Sequence, residues 1–325
     1  MSIYFDNAAT SFPKPTAVYE EVDRCIRQYG GNPGRGSHPL ALAASEKIFE
    51  CRERLARLFN APSPEGVIFT LNATYALNFL IKGLLRPGDH VVISDMEHNA
   101  VLRPVVRCAG SGGIEYDVFS TMLETEEERR LRNATRICAR IAAKIKPNTR
   151  AVICSHQSNL CSATLPLCEI GAFCRRHHLY FIVDASQSAG HLPIDMQAMS
   201  IDGLCVPGHK GLLGIQGCGA AIFGEGLIPD TLIEGGSGYL SLSPTMPDDF
   251  PERGEAGTLP TPAITSLEHG IAYLQRTGLA GIHRAELGLF SRMSEQLADN
   301  PNVTVLAPTH AGSTLSFTHP SLLSD

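Results

Sequence analysis

Two residues of opposite chemistry stand at the ends of two short apolar runs. Leu179-Tyr-Phe-Ile-Val-Asp-Ala-Ser-Gln187 delivers an acid, Asp184, and Gly203-Leu-Cys-Val-Pro-Gly-His-Lys210 repeats the device with a lysine, Lys210, just past a Pro-Gly break. A charged, helix-like segment from Glu169 to His178 precedes the first run, which therefore reads as a buried parallel strand. Ligands of open α/β sheets bind at the carboxyl ends of the strands, so acid and lysine are offered at one edge of one sheet. A lysine amine condenses with an aldehyde, and a carboxylate facing a pyridine nitrogen keeps that nitrogen protonated. Pyridoxal phosphate (PLP) catalysis needs both. Taken singly, Asp184 serves equally well as a turn cap and Lys210 as a surface charge.

The wording around the pair narrows the choice. Val183-Asp-Ala-Ser-Gln187 with Pro207-Gly-His-Lys-Gly-Leu-Leu-Gly214 resembles the cofactor signature of class V aminotransferases, and within them of the cysteine desulfurase family. The resemblance implies an α/β, fold-type-I PLP-transferase fold: a mostly parallel central sheet flanked by helices, with a smaller α+β C-terminal domain. Residues 15–260 would form the large PLP-binding domain, and residues 1–14 with 261–325 the small one. It also implies catalytic roles for Lys210, His98 and Asp184. Asn159 and Gln187 would bond the cofactor's phenolic oxygen, and His209 its phosphate. Pro251-Glu-Arg-Gly-Glu-Ala-Gly-Thr258 resembles a motif that reaches into a neighbouring subunit, so Gly257 and Thr258 would contact that subunit's phosphate in a homodimer with composite active sites. Gly254 stands where an aromatic residue is usual, which loosens the match to that motif; Pro207 and Ala73 stand where hydroxyl residues are common, which predicts weaker PLP retention.

The elements that must position these residues are legible in outline. Ile3 to Pro15 reads as a short strand, a small-residue turn and the start of a helix running from about Thr16 to Tyr29. By resemblance Ala8 and Ala9 lie close to the substrate. Gly30-Gly-Asn-Pro-Gly-Arg-Gly-Ser-His38 is loop, either a flexible connection or, on the family reading, an active-site loop with Arg35 and His38 at the cofactor entrance. Leu40 to Phe59 is an amphipathic helix. Gly66 to Thr70 is a strand, and Asn72-Ala-Thr-Tyr opens a helix to Leu85; strand, turn and helix N-terminus make an anion site. The Ala73 and Thr74 amides and the Thr74 hydroxyl are assigned to the PLP phosphate, although Thr74 could equally cap its helix. His90 to Asp95 is a strand leading to His98, a helix cap on its own terms and a ring-stacking residue by resemblance. Arg150 to Ser155 is a strand leading to Asn159. Glu124 to Lys146 reads as a solvated connecting helix. Gly235 to Pro244 reads as loop with strand-like ends. Thr261 to Arg276 and Glu286 to Leu297 are helices, and Val303 to Leu306 and Ser313 to Phe317 strands.

Composition sets the outer bounds. The chain has 325 residues, 43% hydrophobic and 18% charged, which describes a soluble globular enzyme too long for one core. A net charge of -6 gives no basic footprint for nucleic acid. No apolar run reaches the length of a membrane span and Met1 to Asp6 is no signal peptide, so the cytoplasm is the default compartment. Ten scattered cysteines form no Cys-x-x-Cys pair, which favours reduced core residues and no metal. Cys161, beside the expected site, reads as a reactive thiol or an incidental core cysteine.

The resemblance implies conversion of L-cysteine to L-alanine, with sulfur passed to an acceptor thiol and on to a possible acceptor protein. The arginine that grips the substrate carboxylate and the persulfide cysteine are expected beyond residue 325, so the small domain reads as truncated at its C-terminus. An aminotransferase, a selenocysteine lyase, a β-eliminating lyase, a catalytically silent PLP-binding subunit and a metabolite-binding α/β protein without PLP are the alternatives.

Overall fold

The computed structural model describes residues 3–34, 36, 38–121, 134–306, 312 and 314–321. The apolar runs become strands because both faces of the sheet they form are covered. They are β1 (Val67–Thr70), β2 (His90–Ser94), β3 (Glu115–Phe119), β4 (Thr149–Ser155), β5 (Tyr180–Asp184), β6 (Gly203–Pro207) and β7 (Gly219–Phe223), arranged β1-β7-β6-β5-β4-β2-β3. Only β7 is reversed, antiparallel to β6 and to β1, so the other six strands point the same way. The carboxyl ends of β1, β2, β4, β5 and β6 therefore meet along one edge.

The helices are α1 (Thr16–Gln28), α2 (Pro39–Phe59), α3 (Ala73–Leu84), α4 (Asn99–Gly112), α5 (Ala134–Ala142), α6 (Leu167–Arg176), α7 (Thr261–Thr277) and α8 (Leu279–Ala298). Alternate residues of each strand face opposite layers. Val183 and Val206 pack with Leu55 of α2, Ile170 of α6 and Leu267 of α7, whereas Ile182 and Cys205 pack with Leu80 of α3 and Val105 of α4. This is the mostly parallel, helix-flanked sheet that the sequence implies. A two-stranded antiparallel pair, β8 (Thr304–Val305) with β9 (Phe317–Thr318), follows α8, which buries only Phe290.

A buried ion pair braces the sheet's β1 edge. Arg52 of α2 grips Glu255 through two hydrogen bonds of 2.9 Å, Glu255 also accepts from the Phe69 amide at 2.7 Å, and the guanidinium lies 4.8 Å from the Phe69 ring centre.

Some expectations fail. Ile3 to Asp6 forms no strand, because no partner ladder lies beside it among the described residues, and the ends of Gly235 to Pro244 form none either. Helix α8 begins at Leu279, earlier than Glu286, and β9 is shorter than the expected Ser313 to Phe317 strand. Ser313, Arg35 and residues 122–133 of the connecting segment lie outside the described residues. Of α4 only the His98 cap was legible, and two elements carried no readable signal: the polar edge strand β3, and β7. The last looks like a continuation of the glycine-rich stretch, yet its small residues answer to packing. A Cβ on Gly219 would come within 2.8 Å of the Asn72 carbonyl carbon and the Val206 oxygen.

Candidate active site

Asp184 ends β5 in the middle of the sheet, in register with Ser155 of β4 and Cys205 of β6. It is 3% exposed and accepts a 2.9 Å hydrogen bond from the Ser186 amide. Burial pushes its carboxyl above the ordinary range, while that hydrogen bond and the charges of Lys210 and His98 pull it back. Lys210 follows the Pro207-Gly208 break in a tight turn closed by the Leu213 amide on the Lys210 carbonyl. Gly211 is obligatory there: a Cβ would lie 2.2 Å from the Ala189 oxygen. Burial lowers the Lys210 ammonium, and Asp184 opposes the shift. The two residues form no ion pair among the described residues, but both line one cavity of about 290 Å³.

The same cavity collects most of the residues named from sequence. Ala73, Thr74, His98, Asn159, Gln187 and His209 line it with Asp184 and Lys210. Helix α3 opens onto it. Its cap is Asn72, not Thr74: the Asn72 side chain accepts from the Tyr75 amide at 3.0 Å, which leaves the first two helical amides, Ala73 and Thr74, without intrahelical partners. His98 is a helix cap that also lines the cavity. It caps α4 by accepting from the Ala100 amide at 3.1 Å through Nδ1, which leaves Nε2 to carry the ring N–H. Gln187 donates to the Ala8 carbonyl at 3.1 Å, so Ala8 abuts the site without lining it. His209 is pushed down to about 4 by burial and by the charges of Lys210 and Lys14.

Other predicted residues lie elsewhere. Gly257 and Thr258 line a separate cavity of about 810 Å³, where Asn32 donates to the Thr258 hydroxyl at 3.3 Å. His38 caps α2 through the Ala41 amide and lines neither cavity. Cys161 is half-buried in the turn after β4 and does not line the cavity; all ten cysteines are free thiols and six are buried.

The structure adds residues that sequence reasoning passed over. Ser155, Gln157 and Ser186 line the cavity. Behind them lies Glu97, whose residue is only partly buried but whose carboxylate turns inward to the buried Ser155 and Ser94. It accepts from the Ser155 amide at 2.8 Å, the Ser155 hydroxyl at 3.0 Å and the Ser94 hydroxyl. Burial raises its carboxyl to about 7 in spite of those donors. The one available signal was its place next to His98 after a strand.

The arrangement suits a phosphorylated pyridine aldehyde. His209 Nδ1 is buried with no hydrogen-bond partner among the described residues, and the free α3 amides open on the same cavity, so an anion is the ligand that would satisfy both. Lys210 offers an amine and Asp184 a carboxylate. Among the described residues no group of three or more His, Cys, Asp and Glu is placed to hold a metal.

The Aminotransferase class-V family profile matches residues 3–324. The chain belongs to the class-V aminotransferase family of PLP-dependent enzymes. Its similarity to named class-V proteins runs nearly end to end. A probable cysteine desulfurase of Methanothermobacter thermautotrophicus is 32% identical over 303 residues, 91% of this chain and 71% of that protein. The apo structure of a cysteine desulfurase from Thermococcus onnurineus NA1 superposes with a TM-score of 0.84 at 30% identity, covering 98% of this chain and 79% of that one. C-DES is similar in two forms. A mutant with glycine covalently linked to its PLP cofactor gives a TM-score of 0.82 at 28% identity, covering 98% and 83% of the two chains. A complex named as a cystine C-S lyase with its product cysteine persulfide gives 0.80 at 27% identity, covering 97% and 84%. Among the described residues no helix is long and apolar enough to cross a membrane.

Proposed function

We propose that the protein is a PLP-dependent cysteine desulfurase-like enzyme that converts L-cysteine to L-alanine and passes the sulfur to an acceptor thiol. The observation that carries this reading is the single cavity at the carboxyl edge of the sheet, lined at once by Lys210, Asp184, His98 and His209. Bound PLP supplies an electron sink for the pair left on the substrate α-carbon. Lys210, its ammonium destabilised by burial, offers the amine that holds the cofactor and then moves protons at that carbon. Asp184 would hold the ring nitrogen in its protonated form, and that positive charge would favour the ionised carboxylate that burial alone disfavours. His98 would pack on the ring, with Nδ1 engaged by the Ala100 amide and Nε2 free to donate. Asn159 and Gln187 would hold the phenolic oxygen, while the Ala73 and Thr74 amides, the Thr74 hydroxyl and His209 would hold the phosphate. In a homodimer, Gly257 and Thr258 complete the phosphate site of the second copy, which accounts for their place outside the cavity formed by their own chain. Ala8, whose carbonyl accepts from Gln187, borders the substrate side.

Overall, cysteine and an acceptor thiol give alanine and an acceptor persulfide: the Cβ–S bond breaks, the thiolate bonds to the departing sulfur, and Cβ takes up a proton. No cysteine lines the cavity among the described residues, so the acceptor thiol comes from outside it.

The likeness to a C-S lyase favours a second reading, β-elimination, in which a keto acid replaces alanine. The deciding experiment loads the purified protein with PLP, adds L-cysteine and a thiol reductant, and measures alanine, sulfide and keto acid. Alanine with sulfide supports the desulfurase. Keto acid in place of alanine supports a lyase or aminotransferase, and a loaded protein with no turnover supports a silent PLP-binding subunit. A selenocysteine lyase would form alanine faster from selenocysteine. No visible absorption with PLP, in wild type or Lys210→Ala, overturns the cofactor assignment itself.

A further inference from the structure

The N-terminal segment clasps the backbone that carries Lys210. The His209 carbonyl is approached by four donors: the Thr10 hydroxyl at 3.2 Å, the Ser11 amide at 3.2 Å, the Ser11 hydroxyl at 3.2 Å and the Lys14 ammonium at 2.6 Å. The Ser11 hydroxyl also lies 2.9 Å from the Lys210 carbonyl and accepts from Lys14 at 2.6 Å. Lys14 itself is 9% exposed and pairs with no carboxylate among the described residues. A buried ammonium held only by a carbonyl and a hydroxyl is a costly arrangement unless an anion sits nearby. The residue whose carbonyl Lys14 holds, His209, lines the cavity already described, where its own Nδ1 and the α3 amides lack partners. Ala73 and Pro207 line that cavity and offer no side-chain donor, so beside the Thr74 hydroxyl and His209 a fixed charge is a further means of strengthening anion binding there. Lys14 already acts electrostatically on His209, which its charge helps to keep neutral.

We propose that Lys14 is a positioning residue for the anion end of the cavity: its ammonium fixes the His209–Lys210 backbone and supplies the buried positive charge that makes the site prefer a phosphorylated over an unphosphorylated pyridine aldehyde. The proposal rests on the reading of this cavity as a PLP site. Uniform positioning would serve PLP and pyridoxal alike, whereas a fixed charge serves only the ligand that carries the phosphate.

The test compares binding of PLP and of pyridoxal to cofactor-stripped wild type, Lys14→Gln, Lys14→Met and Lys14→Arg, followed by visible absorption. Lys14→Gln keeps a donor for the His209 carbonyl and removes only the charge. The expected result is a loss of about tenfold or more in PLP affinity for Lys14→Gln and Lys14→Met, with pyridoxal changed less than about threefold and most of the PLP preference restored in Lys14→Arg. Equal losses for both ligands would reduce Lys14 to a structural residue and overturn the proposal, as would an unchanged PLP preference in Lys14→Gln. If Lys14→Met fails to fold, the Gln and Arg variants still decide the matter. Wild type that binds neither ligand would instead overturn the cofactor assignment, a result distinct from wild type that prefers PLP for reasons unconnected with Lys14.

Discussion

Glu97 shows how a side chain outside the cavity can shape it. Its carboxyl is held near 7, against 4.5 for a free glutamate, because burial outweighs the donors it meets. Between those values the folded chain binds more protons than the unfolded one, so this residue makes stability fall as pH rises from about 4.5 to about 7. Glu97→Gln, neutral throughout, is expected to lose that slope and to gain on wild type by on the order of 1–3 kcal/mol between pH 5 and pH 8, read from urea midpoints of the cofactor-free protein. Lys210→Ala is expected to abolish the visible band that PLP gives with wild type while leaving the midpoint nearly unchanged. Asp184 and Lys210 were legible from sequence because each follows its own strand within a few residues and their wording is distinctive. Glu97 was not, since its meaning comes from Ser155 at the end of a different strand. Gly257 and Thr258 were legible only as a motif, and nothing local in the chain shows which cavity they serve.

The elements fix how tightly that edge is built. Arg52 and Glu255 are both nearly buried and join α2 to β1 and to the segment before α7. Arg52→Leu strands a buried carboxylate and is expected to cost about 3–5 kcal/mol, measured by urea denaturation; Arg52→Lys, which keeps the charge but not the paired hydrogen bonds, should recover part of the loss. Gly219→Ala drives a methyl into the Asn72 turn, the cap that opens α3. It is expected to cost about 1–3 kcal/mol and to weaken PLP binding more than a substitution on the far side of β7. Most strands and helices could be read from their apolar runs. β7 could not, because residues made small by close packing look the same in sequence as residues made small by a turn. The strand expected at Ile3 to Asp6 failed for the converse reason: a short apolar run becomes a strand only beside a partner.

The whole molecule responds to acid through groups that the site itself requires to be buried. His156, 6% exposed and joined through its amide to the Asp184 carbonyl, has its ring pushed down to about 4. Below 6.5 the unfolded chain takes up the proton that the folded one refuses, so stability is lost as pH falls from about 6.5 to about 4 and is level below that. The share of the loss due to His156 is roughly 3 kcal/mol, and His156→Leu is expected to make the acid limb shallower, with the share of His209 left, in thermal unfolding measured from pH 7 to pH 4. The reversed strand has a consequence in time as well as in space. β1 touches the sheet only through β7, whose residues enter the chain long after those of β1. A growing chain that has completed β5 already holds Asp184, but β1, which leads into the α3 N-terminus, has no strand to pair with until Phe223 has been made. The two ends of the cavity are thus joined by one of the longest loop closures in the fold, a slow step by contact order. A ligand that grips both ends can capture the chain only after that closure, so cofactor added during synthesis would act late, on a nearly finished protein.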